Sequence, residues 1–145
     1  MQNINHALVK DTHQLYHAFM SDNIPVSVQT NLAMCVLYFL EDKTQIAAGS
    51  VSRAKANLLL PMFDNSDQYH PPHIDTDVNG SLSLVYYVND SDGPTRFFDN
   101  SGNIIQTVYP KKGSAVLFSS NTPHASSCPI NSRHRIVINF VFTPA

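Results

Sequence analysis

Ser81-Leu82-Ser83-Leu84-Val85-Tyr86-Tyr87-Val88, followed at once by Asn89-Asp90-Ser91-Asp92-Gly93-Pro94, is the stretch on which the reading of the fold turns. A short apolar and aromatic run of strand length gives way to a cluster of turn formers. The same pairing recurs on both sides. Upstream lie the apolar residues 58–62 and the turn chemistry of 64–67. Downstream come Phe97 and Phe98, then 104–108 after Gly102, then 115–118 and 136–142. Strands this short, spaced this closely and separated by Gly, Asn, Asp and Pro, predict a sandwich or barrel rather than alternating helix and strand.

Before Gly49 the pattern is different. Ala7, Leu8, Leu15, Phe19 and Met20 recur at roughly helical spacing, and Pro25 ends that region. Residues 31–41 fit either a short helix or a buried strand. The expected fold is mainly β with N-terminal helices. A helical layer over about residues 1–45 backs an antiparallel β-sandwich core over about 46–145, in one domain spanning 1–145.

Composition narrows the function classes. An apolar fraction of 43% supports a real core, and 14% charged residues argue against disorder. A net charge of -2 gives no bulk attraction for nucleic acid. The adjacent Lys111 and Lys112 read as a solvated turn. Two cysteines, Cys35 and Cys128, are too few and too far apart for a disulfide scaffold. Cys35, inside an apolar run, is expected to be a buried thiol. The longest apolar run, 32–40, is too short to cross a bilayer, and residues 1–10 lack the apolar stretch of a secretory signal. A soluble, cytoplasmic protein is expected, with no membrane partner.

Of the seven histidines, His6, His13 and His17 fall in the amphipathic amino-terminal region, where a helix surface explains them. The informative group is Tyr69-His70-Pro71-Pro72-His73-Ile74-Asp75. In extended backbone, side chains two apart share a face, so His73 and Asp75 project together, roughly 6–7 Å apart at the backbone, with Ile74 opposite in packing. His-x-Asp alone is a weak signal. His124, after the apolar segment 113–118 and a short turn, supplies a third donor. Two histidines and one carboxylate with coordination positions left over define the facial triad of non-haem iron(II) oxygenases, whereas structural zinc more often takes four protein ligands. Arg135 opens the apolar run 136–142, sharing a face with Val137 and Asn139. A buried arginine there needs an anion, either a protein carboxylate or a ligand held bidentately.

Together these residues resemble the prolyl 4-hydroxylase-like branch of the iron(II)/2-oxoglutarate dioxygenases. The resemblance runs from Phe63 to Phe142. It includes His73-x-Asp75; Val85-Tyr86-Tyr87-Val88-Asn89; Gly93-Pro94-Thr95-Arg96-Phe97; Pro110-x-x-Gly113-x-Ala115-x-x-Phe118; and His124 followed by Pro129 and Arg135. It implies a double-stranded β-helix (jelly roll) and an enzyme using Fe(II), 2-oxoglutarate and O2, with ascorbate a further candidate. His73, Asp75 and His124 would hold the metal. Arg135 would bind the distal carboxylate of 2-oxoglutarate, supported by Tyr87, with Ser83, Val85 and Val137 lining the pocket. Arg133, on the same strand face, is the alternative to Arg135. Val137 stands where the family often carries a small or hydroxylated residue and Phe63 where many members have a tyrosine, and the paired glycines are reduced to Gly93-Pro94.

The implied reaction hydroxylates a C–H bond as 2-oxoglutarate is decarboxylated to succinate. The target would be a small molecule, or a peptide or protein residue, prolyl among the options. Asp77 is expected near the metal ligands, in contact with substrate, or exposed at the surface. Residues 64–72 and 89–94 are candidates for a mobile cover. The chief alternative is a cupin-like metal protein that keeps the three ligands and has no use for Arg135. A fold that has lost catalysis and binds a partner is a further alternative.

Overall fold

A computed structural model describes residues 7–145; His6 lies outside the described residues. The order of elements is β1 (Leu15–Ser21), β2 (Ile24–Pro25), α1 (Thr30–Thr44), β3 (Ala48–Leu59), β4 (Leu82–Tyr87), β5 (Thr95–Phe98), β6 (Ile104–Val108), β7 (Ala115–Ser119), β8 (His124–Ser126) and β9 (Arg135–Pro144). They form two antiparallel sheets, ordered β2-β1-β3-β9-β4-β7 and β6-β5-β8. The mainly β architecture is consistent with a jelly roll. Among the described residues, no helix is long and apolar enough to cross a membrane.

The larger sheet has two unlike faces because side chains alternate along each strand. One face is apolar. Leu84, Phe140 and Phe142 pack there with Val51, Ala54 and Met20, and α1 covers them through Ala33 and Leu37. The other face is mixed. Ser83, Val85 and Tyr87 on β4 stand beside Arg135, Val137 and Asn139 on β9 and Arg53, Lys55 and Asn57 on β3. The smaller sheet closes over this second face, with Phe97 meeting Phe118 edge-on at 4.9 Å. The functional cavity lies between the two.

The helical reading of the amino-terminal region is only partly right. The 15-residue α1 occupies its second half, which resolves residues 31–41 as helix. Leu15, Phe19 and Met20 instead lie on a strand, where His17 also sits. β1 pairs antiparallel with β3, and a bulge at Phe19 breaks the two-residue alternation. Phe19 and Met20 therefore both reach the core, producing the spacing that mimics a helix. Cys35 is another correction. It is exposed on α1, because the helix buries only a narrow stripe of Thr30, Ala33 and Leu37.

The turn after β4 is fastened rather than loose. The Asp92 carboxylate accepts backbone N–H bonds from Ile130, Asn131 and Ser132 at 3.1, 2.7 and 3.1 Å. Gly93 leaves no room for a side chain: a Cβ there would meet the Ser127 carbonyl oxygen and lie 2.8 Å from the Pro129 nitrogen. Residues 64–72 are anchored too, since Arg96 donates to the carbonyls of Ser66 and Gln68, and Tyr69 exchanges backbone bonds with the Leu8 and Lys10 segment.

Candidate active site

His73 and Asp75 do not lie on a regular strand. Only an isolated antiparallel bridge joins His73 to His124. Each donates its backbone N–H to the other's carbonyl at 2.9 Å, and Asp75 N–H bonds to the Ser120 carbonyl at 2.9 Å. Without a continuous strand, Ile74 is not packed away as expected but is 44% exposed. The three side chains still converge, with one ligand atom from each lying within 4.8 Å of the others. Asp75 Oδ1 is 3.8 Å from His73 Nε2, and Oδ2 is 3.7 Å from His124 Nε2.

The supporting contacts orient each donor. His124 Nδ1 lies 2.9 Å from the Thr122 carbonyl, which can only accept. The proton therefore sits on Nδ1, and Nε2 turns a lone pair toward Asp75. Burial lowers the His124 pKa, favouring that neutral form. Asp75 is held on both oxygens: Arg53 Nη2 donates to Oδ1 at 2.6 Å and Ser83 Oγ to Oδ2 at 2.7 Å. Burial pushes the Asp75 pKa up, but His124 when protonated, the Ser83 bond, Arg53 and a protonated His73 more than offset it, so the carboxyl stays below its ordinary value. The centre is open on one side only, with the His73 side chain 56% exposed and that of His124 8%.

These groups border a cavity of about 280 Å³, near the small end of the range of roughly 300–1,000 Å³ for small-molecule pockets. Arg135 lies at its buried end. Its Nε donates to the Gly93 carbonyl at 2.8 Å and its Nη2 to Thr95 Oγ1 at 2.9 Å. Thr95 Oγ1 is in turn 2.8 Å from the Tyr87 hydroxyl. Among the described residues no carboxylate pairs with Arg135. Burial draws its pKa down to about 10. Burial also raises the Tyr87 pKa, keeping the hydroxyl protonated. Val85 and Val137 pack with Tyr87 and line the cavity.

His73, Asp75, His124, Arg135, Val85 and Val137 all line this cavity, whereas Ser83 and Tyr87, expected there too, stand behind the lining and reach it through Asp75 and Thr95. Arg133 does not: it is exposed, precedes β9 and does not line the cavity. Asp77 is also exposed and away from the cavity. Sequence reasoning missed Arg53, Lys55 and Thr95. For Arg53 and Lys55 a signal existed, namely basic side chains at alternate positions of a strand, but it reads as a solvated face until the partner sheet is known.

Residues 58–143 match the sequence model of the 2OG-Fe(II) oxygenase superfamily. The chain belongs to that superfamily. Its reaction uses Fe(II), 2-oxoglutarate and O2, and the two imidazoles and one carboxylate of His73, Asp75 and His124 suit such a borderline divalent ion with sites to spare. No curated protein matches the chain by sequence. Among solved structures, a 2OG-Fe(II) oxygenase-family oxidoreductase from Burkholderia pseudomallei is similar, with 16% identity, a TM-score of 0.68, and 92% of this chain and 68% of that one covered. A Pseudomonas putida prolyl-4-hydroxylase gives 21% identity and a TM-score of 0.57 over 90% of this chain and 68% of that one. A Trichoplax adhaerens prolyl hydroxylase, solved with a hypoxia inducible factor peptide fragment, gives 14% identity and a TM-score of 0.58 over 97% and 66%. At these identities the likeness is one of fold.

Proposed function

We propose that this oxygenase hydroxylates a C–H bond, with iron held by His73, Asp75 and His124 and the distal carboxylate of 2-oxoglutarate held by Arg135. The observation that carries this reading is the buried Arg135 guanidinium, which no described carboxylate neutralises, at the closed end of a cavity whose other end is the His-Asp-His cluster. A buried cation without an anion is costly. A metal-binding jelly roll with no 2-oxoglutarate chemistry would bear that cost for nothing, whereas a dicarboxylate ligand removes it. When bound, iron would activate O2, the oxidant, and 2-oxoglutarate would supply two electrons, so that one oxygen atom goes to succinate with loss of CO2 and the other to the substrate C–H bond.

The chain's own residues supply geometry. Arg53 and Ser83 fix the Asp75 carboxylate, and Thr122 fixes the His124 ring. Thr95 Oγ1 accepts from Arg135 and shares a hydrogen bond with the Tyr87 hydroxyl, which sets the tyrosine beside the guanidinium that binds the ligand carboxylate. Val85 and Val137 keep water from the carbon chain between. Substrate enters over His73, the open side. Small molecules and prolyl residues of peptides are both within reach of this geometry, and the two prolyl hydroxylase neighbours make a prolyl peptide a natural first substrate to try.

The test is succinate formation from 2-oxoglutarate by the Fe(II)-loaded protein, with and without candidate substrates. Turnover in wild type, lost in Asp75→Ala and shifted at least tenfold to higher 2-oxoglutarate in Arg135→Gln, is expected. A 2-oxoglutarate requirement that ignores Arg135 would remove the proposed role.

A further inference from the structure

The cavity face of β3 bears Arg53, Lys55 and Asn57 at alternate positions. Pairing sets Arg53 level with Val141 and Ser83, the row that holds Asp75. Lys55 is one row on, beside Asn139 and, beyond it, Val85. Asn57 follows beside Val137 and Tyr87, and then comes the row of Arg135. Lys55 therefore stands between the metal cluster and the buried arginine, on the β3 wall.

Neither β3 cation is fully used by the protein. Lys55 lines the cavity half-buried and has no carboxylate partner among the described residues. Its Nζ lies 5.8 Å from the centroid of the Tyr16 ring. Burial, then the neighbouring Arg53, lower its pKa, and the more distant Asp75 only partly opposes them. Arg53 gives Nη2 to Asp75, yet its Nε is buried with no acceptor.

Charge decides what this wall is for. With Fe(II) and 2-oxoglutarate aboard, the two charges of the metal and that of Arg135 balance Asp75 and the dianion. Arg53 and Lys55 are then left over, against a single exposed Asp11 on the rim. A loaded pocket that is cationic on its remaining wall attracts and orients an anion. We propose that Lys55, with Arg53 behind it, receives a carboxylate of the substrate, so that the molecule hydroxylated is a small carboxylic acid such as a free amino acid. The inference rests on the oxygenase reading of the metal cluster and Arg135. A charge-assisted bond of this kind, about 2.7–2.9 Å long, would fix which carbon faces the metal.

The experiment uses the full chain loaded with Mn(II) and saturating 2-oxoglutarate. Paramagnetic relaxation is measured on the protons of free L-amino acids, proline included, each beside its own carboxamide. At least one amino acid should relax tenfold or more over its carboxamide. Lys55→Gln should erase that excess while 2-oxoglutarate binding stays unchanged. Lys55→Arg should keep it, and Lys111→Gln, in an exposed turn, should change nothing. Equal relaxation across every pair would overturn the proposal. So would a tenfold loss of 2-oxoglutarate affinity in Lys55→Gln, because it would assign Lys55 to the cosubstrate. If wild type binds neither Mn(II) nor 2-oxoglutarate, the oxygenase reading falls and this proposal falls with it. Binding of both without carboxylate preference sinks this proposal alone.

Discussion

His73 and His124 are distant in the chain, yet each bonds through its backbone N–H to the other's carbonyl at 2.9 Å. The main chain, not the side chains, brings the two imidazoles together, and their ring centroids lie 4.5 Å apart. A site built this way is formed before any ion arrives, which limits the reorganisation that binding demands.

It follows that removing an imidazole should cost the metal far more than the fold. His124→Ala is expected to weaken Mn(II) or Co(II) binding at least 100-fold while leaving Tm within a few degrees of wild type. Isothermal titration and thermal melts on the same preparation read both quantities. Collapse of the fold in His124→Ala would mean that the side chain, rather than the backbone bridge, holds the two segments.

Arg135 should behave in the opposite sense for the empty protein. Its folded pKa of about 10 is below the ordinary arginine value. For a base depressed by burial, folding opposes the charged form, so the penalty is complete at neutral pH and fades only as pH rises above about 10 toward the ordinary arginine value. The difference corresponds to roughly 3 kcal/mol. Arg135→Met should therefore leave the ligand-free protein as stable as wild type or more so, as replacement of buried charges by apolar side chains often does. The rise in Tm that 2-oxoglutarate gives wild type should disappear. A variant much less stable without ligand would show that the bonds to Gly93 and Thr95 outweigh desolvation.

Much of this was legible in the sequence, for identifiable reasons. Residues 104–108 coincide with β6, and the runs around Val85 and Ile138 became β4 and β9, because alternation and flanking turn formers are local signals. Arg135 stood out because its residue type is costly to bury without a purpose, and His73, Asp75 and His124 because two histidines and a carboxylate in that spacing and order form a metal-donor set. The bulge at Phe19 was invisible, since only pairing with β3 reveals that two successive residues face the core. Arg53 was missed for a related reason. It lies on a strand that reads as half-solvated, and its partner, Asp75, arrives from a separate segment.

Asp92 carries a pH-dependent share of stability. Partial burial pushes its pKa up, but the backbone N–H groups of Asn131, Ser132 and Ile130 and the Ser132 side chain draw it down further, to a net value below the ordinary one. An acid depressed on folding stabilises above its unfolded pKa, near 4, and that contribution is lost as pH falls through the lower folded value. Asp92→Asn should lower Tm at pH 7, and the gap from wild type should narrow toward about pH 2. Melts of both proteins across that range isolate this group from the other carboxylates. A gap that does not change with pH would deny the carboxylate its role.

Gly93 links that turn to the cosubstrate end of the cavity. Its carbonyl accepts from Arg135 Nε at 2.8 Å, and its Cα packs against the backbone of residues 127–129 so closely that no Cβ fits. The obstacle is main chain on the far side, which cannot swing aside as a flexible side chain would. Gly93→Ala must then push β5 away from that backbone, and both acceptors on Arg135, the Gly93 carbonyl and Thr95 Oγ1, move with it. Overpacking of this kind costs about 1–3 kcal/mol, enough to lower Tm by several degrees. The expected result is a joint loss: a lower Tm and at least tenfold weaker 2-oxoglutarate binding, with Mn(II) affinity unchanged because the bridge between His73 and His124 lies elsewhere. Thermal melts with separate metal and 2-oxoglutarate titrations measure the three quantities, and metal affinity falling in step with cosubstrate affinity would show that the two ends of the cavity are not independently supported.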